Sequence, residues 1–209
     1  MGMDKNGIFV TFEYNGREIE GIDEFRKEVD GYYSSLGKAV YIPSFSEGGE
    51  LFLKVFFESD WGSFVATAIA GGLLWDVVKY AGKTFVLTPL ANAIDKLFLT
   101  NDKAKGGYGL KLVSSRLVFE DIEIVVFGLT MNYREELEKI LYHISTRIEQ
   151  IESEHGSGIS IRTIEFPYYY EEYNDDKYLR DSLNDSYSNK HLLKVIFEDG
   201  SCYYEEYNV

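Results

Sequence analysis

The chain has 209 residues, an apolar fraction of 45% and a formal net charge of −14. That length and composition support a buried core, in one large domain or two small ones. The charge repels phosphate backbones, so no nucleic acid is expected as a ligand. A single cysteine, Cys202, excludes an internal disulfide and fits a reducing, cytoplasmic setting. The opening "MGMDKNGIFVTFEY" lacks a basic stretch followed by an apolar run, so it does not read as a secretory signal.

In chain order, Ile8 to Tyr14 alternates apolar and polar residues, and Asn15-Gly16 then suits a type I′ turn. The pattern predicts a β-hairpin. Ile22, Phe25, Val29, Tyr32 and Leu36 share one helical stripe, with Gly37 as its stop. "AVYIP" and "ELFLKVFF" read as two strands around the turn "SEGG". From Trp61 to Trp75 no residue is charged, and a second helical pattern follows through "PLANAIDKLFL". "TNDKAKGGYG" has the composition of a linker.

"LKLVSSRLVFEDIEIVVFGL" is rich in β-branched residues and predicts two strands joined at Glu120-Asp121. Tyr133, Leu137, Ile140, Leu141, Ile144, Ile148 and Ile151 then recur at helical steps, with Asn132 as a cap. "ISIRTIEF" predicts a strand ending at Pro167, and "LLKVIFEDGSCYYEEY" a closing hairpin about Asp199-Gly200. The expected fold is α+β, with largely antiparallel sheets built from hairpin–helix–hairpin units and an apolar helical pair in the middle. Residues 1–99 and 108–209 form the two expected regions, and their shared element order raises a distant duplication.

Recognisable catalytic patterns are few. Val77 stands where a phosphate-binding loop ending in "YAGKT" needs glycine. His143, His155 and His191 are too far apart in sequence for a zinc motif. "NDDKYLRDSLND" lacks the central glycine of a calcium loop. No cofactor, metal ligand or catalytic residue is assigned.

Two features remain. The hexamer "YYEEYN" occurs at Tyr169–Asn174 and again at Tyr203–Asn208, and nine of the 17 tyrosines fall between Tyr168 and Tyr207. The last 61 residues also hold 14 acids against 5 bases. Tyrosine is common at interface hot spots, and carboxylates steer cationic partners. The leading expectation is therefore a non-enzymatic cytoplasmic protein-binding module of inhibitor, immunity or accessory type. Its contact residues would be Tyr169, Glu171, Tyr173, Tyr203, Glu205 and Tyr207, and its partner another, basic protein. The second feature is the uncharged stretch with small residues four apart: Gly62, Ala66 and Ala70, then Ser63, Thr67 and Gly71. It carries the alternative of a membrane contact through residues 61–80, or of a self-assembling homo-oligomer, with 61–99 as the working part. A third alternative is an enzyme whose carboxylate site forms only in the fold.

Overall fold

The computed structural model describes residues 7–15, 19–40, 49–70, 87–105, 109–128, 133–168 and 191–207. The elements run β1 (Ile8–Asn15), α1 (Ile22–Tyr32), β2 (Ser34–Ala39), β3 (Glu50–Phe57), α2 (Trp61–Ala70), α3 (Thr88–Lys105), β4 (Lys111–Val118), β5 (Glu123–Phe127), α4 (Tyr133–His155), β6 (Ile161–Tyr168), β7 (His191–Phe197) and β8 (Cys202–Tyr207). The strands form one sheet of eight in the order β2-β1-β3-β4-β5-β6-β7-β8.

The alternation in β1 and β3 places Ile8, Val10 and Phe12 beside Leu51, Leu53, Val55 and Phe57 on one buried face. A single row crosses almost the whole sheet on that face: Val10, Val55, Leu117, Ile124, Ile164, Val195 and Tyr203. Helices α1, α3 and α4 cover it. The ring of Phe25 in α1 meets Phe12 edge-on at 5.1 Å, Leu90, Ile94 and Leu97 of α3 are buried, and so are Leu137, Ile140, Leu141, Ile144 and Ile151 of α4.

Helix α2 anchors at the end of β3. Asp60 caps it, accepting from the backbone N–H of Ser63 at 2.7 Å, and Asp121 in the β4–β5 turn accepts from the N–H of Trp61 at 2.8 Å. Trp61 is buried and stacks on Phe64, while Phe119 stacks on Phe57. Among the described residues no helix is long and apolar enough to cross a membrane. Residues 71–86, the glycine-rich centre of the expected helical pair, lie outside the described residues. Helix α3 packs on α1 and α4.

Several expectations need correction. Strand β1 has no hairpin partner after Asn15-Gly16: β2 lies parallel on one side of it and β3 antiparallel on the other. The α1 stripe stops at Tyr32, because Tyr33 turns extended (φ −129°, ψ 160°) and residues 34–39 become β2. Gly37 is thus no helix stop. It sits opposite Phe12, where a Cβ would overlap the Phe12 ring, so glycine is what admits that ring. Four strand pairings are antiparallel and three are parallel, which makes the sheet mixed rather than largely antiparallel.

The parallel pairs also bear on duplication. Strands β1 and β5 point the same way, yet β1 steps through α1 to one side and β5 steps through α4 to the other. Both helices lie on the same face, so the two crossovers have opposite hand. Copies of one unit would share their hand, and crossovers of this kind are right-handed in the great majority of sheets.

Candidate functional site

The polar cluster that best fits the sequence expectation lies between β8 and α4. In β8 the pleat sends Tyr203 and Glu205 to the helix-covered face and Tyr204 and Glu206 to the other. Across from them α4 presents His143, Arg147 and His155, at spacings of four and eight residues along one side of the helix.

Glu205 is the hub. Its Oε2 accepts from Arg147 Nη2 at 2.8 Å and its Oε1 from Arg147 Nε at 3.1 Å, a two-pronged guanidinium–carboxylate pair. His143 Nε2 lies 3.2 Å from the same Oε1. Burial pushes the Glu205 carboxyl up, but the hydrogen bonds and charges of Arg147 and then His143 outweigh it, and the group is held below the usual glutamate value. The Arg147 guanidinium is raised in turn, first by its hydrogen bond to Glu205. Tyr203 stacks face to face on His155, with ring centres 3.9 Å apart. Burial, and then the charge of Glu205, raise its phenol.

With Arg147 and His143 occupying its oxygens, Glu205 clasps β8 to α4. It is not poised as a general acid or base. Among the described residues no group of three or more histidine, cysteine, aspartate or glutamate side chains could hold a metal ion. The structure thus brings Tyr203 and Glu205 of the expected contact set together with α4. Tyr169, Glu171 and Tyr173 lie outside the described residues, as does the side chain of Tyr207. Cys202 is exposed at the start of β8.

From the sequence, His143 enters only as one of three histidines too widely spaced for a zinc motif, and Arg147 has no role. A signal was present: both lie one helical turn apart on the flank of a long amphipathic helix. The strand that would supply their carboxylate, however, is some sixty residues away and could not be chosen from spacing.

No family model matches the chain, and no curated protein or solved structure matches it either.

Proposed function

We propose that the chain is a non-enzymatic protein-binding module whose partner is a basic protein, met through the β8 side of the sheet. The observation that carries this reading is the position of β8. It is the last strand of the sheet, so its outer backbone edge has no strand partner among the described residues. An exposed strand edge is a surface that other chains recognise through main-chain hydrogen bonds. The side chains beside it are tyrosine and glutamate, with Glu206 exposed. The clasp of Arg147 and His143 on Glu205 holds that edge in place, which lowers the ordering cost of binding.

The test is affinity capture with the full chain, comparing wild type with Glu206→Arg, both checked for native circular dichroism. A partner with an excess of basic residues, released by raised salt and by the charge reversal, supports the reading. Capture unaffected by both treatments would remove β8 from the interface.

A further inference from the structure

We propose that the outer edge of β2 pairs with β2 of a second copy of this chain, in a twofold antiparallel contact centred on Leu36. This surface lies at the opposite end of the sheet from β8 and stands independently of the β8 reading.

Strand β2 ends the sheet, and its outer side has no strand neighbour among the described residues. One bond fixes which of its main-chain groups point outward. The Val40 N–H donates to the Tyr14 carbonyl at 2.9 Å, so Val40 faces β1, and in a parallel ladder alternate residues do the same. Lys38, Leu36 and Ser34 therefore turn their N–H and C=O groups to β1, while Ser35, Gly37 and Ala39 turn theirs outward. The β1–β2 ladder runs from Ser34 to Ala39 without a register shift. A free edge is usually guarded by a bulge, a proline or charged side chains, and β2 offers Lys38 alone.

The side chains fit a like copy. Leu36 is 59% exposed, and Tyr32, just before β2, is 51% exposed. The whole chain carries a net charge of −14 and repels itself, yet residues 31–40 contain no acid and only one base, Lys38. Residues opposite one another across an antiparallel pair must share a face of the sheet. A twofold axis through Leu36 meets that condition. Leu36 then faces the copy's Leu36, Ser35 the copy's Gly37, Ser34 the copy's Lys38, and Tyr32 the copy's Val40. The outward groups of Ser35 and Gly37 exchange main-chain bonds. Leu36 falls at a non-hydrogen-bonded position, where opposing Cα atoms stand about 4.5 Å apart. The two Lys38 side chains are offset by four residues along the strand, about 13 Å and beyond a Debye length at physiological salt. The β8 edge, with Glu205 and Glu206 adjacent, is the poorer surface for self-pairing.

Sedimentation of the full chain over a concentration series tests the contact. One strand pair makes a small interface, so a monomer–dimer equilibrium with a Kd of about 1–100 µM is expected. Leu36→Lys opposes two like charges at the centre and should raise that Kd about tenfold or more, with native circular dichroism because the side chain is exposed. Leu36→Cys in a Cys202→Ser background should form an intermolecular disulfide on mild oxidation, since the paired Cα atoms lie within disulfide range. Lys38→Cys in the same background should not. A chain that stays monomeric at about 500 µM, well above that Kd range, would overturn the proposal. So would a dimer unaffected by Leu36→Lys, or equal cross-linking at positions 36 and 38. Open-ended growth abolished by Glu206→Arg would also overturn it, by setting β2 against β8 of the next copy. The two interfaces fail separately: Glu206→Arg should leave the dimer intact, and Leu36→Lys should leave capture of a basic partner intact.

Discussion

At the β2 edge the end strand is held by shape. Phe12 fills the space that Gly37 leaves, Phe25 meets it edge-on, and the buried Tyr33 follows directly from α1 into β2. At the β8 edge the end strand is held by charge and stacking: Arg147 and His143 on Glu205, and His155 on Tyr203. The comparison shows two ways to keep the last strand of a sheet attached. Packing that excludes water tolerates salt and acid but not a change of volume. A polar clasp half open to water tolerates a change of volume but depends on the protonation of its hub.

The largest effect should come from breaking the packed edge. Phe12→Ala removes a ring that is 1% exposed and should cost about 3–5 kcal/mol in urea unfolding. Gly37→Val drives a side chain into that ring and should cost about 1–3 kcal/mol. If Gly37→Val unfolds at the wild-type midpoint, the β2 edge is not held by this contact.

A second way to break the packed edge is alkaline pH. Burial raises the Tyr33 phenol from 10.0 to about 12, partly offset by a backbone hydrogen bond with Leu90. The folded state therefore keeps a proton that the unfolded chain loses. The associated stability is complete below pH 10 and disappears as pH rises toward 12, by about 2–3 kcal/mol. Tyr33→Phe should flatten that limb of the stability curve, and an unchanged slope would rule out Tyr33 as its source.

Acid should act on the other edge. Glu205 is lowered in the folded state, so its contribution is complete above the ordinary glutamate value of 4.5 and is lost as pH falls through the folded value. Glu205→Gln keeps the shape and removes the charge. At neutral pH it should cost about 1–2 kcal/mol, the range for a charge-assisted hydrogen bond partly screened by water. Hydrogen exchange locates the effect: β8 amides should open first in acid, and β2 amides first in base. If both edges open together under both conditions, the β2 and β8 edges are held by the same kind of contact.

How far the sequence reveals these edges depends on how local each signal is. Helix α4 was legible because its apolar residues recur over twenty residues, and it runs Tyr133–His155. The β7–β8 hairpin was legible because Asp199-Gly200 is a tight turn, with Gly200 at φ +85° and its N–H bonded to the Phe197 carbonyl at 3.0 Å. Strand pairing at a distance was not. Asn15-Gly16 carried a hairpin signal, but both edges of β1 are taken by strands from further along the chain. Leu36 matched the α1 stripe by spacing, yet it is 59% exposed on β2. Periodicity reports which face of an element is buried and is silent about which element buries it. The clasp was half visible for the same reason. Tyr203 and Glu205 drew notice through composition, while Arg147 and His143 gained meaning only when β8 was laid against α4.

The smallest predicted effect sharpens the contrast between a clasp and an ordinary surface pair. Arg26 and Asp30 also lie four residues apart on a helix and approach to 3.9 Å, but their side chains are 56% and 48% exposed. Glu205 keeps 14% exposure and receives two bonds from one guanidinium. Water screens the first pair and both side chains lose freedom in making it, so Arg26→Ala should change stability by less than about 0.5 kcal/mol. The Glu205→Gln change should exceed it under the same conditions, and the gap should narrow but not close at high salt, because a partly buried pair is screened less than an exposed one. Equal effects for the two substitutions would reduce the β8 clasp to one more surface ion pair and leave that edge held by the Tyr203–His155 stack and its backbone ladder to β7.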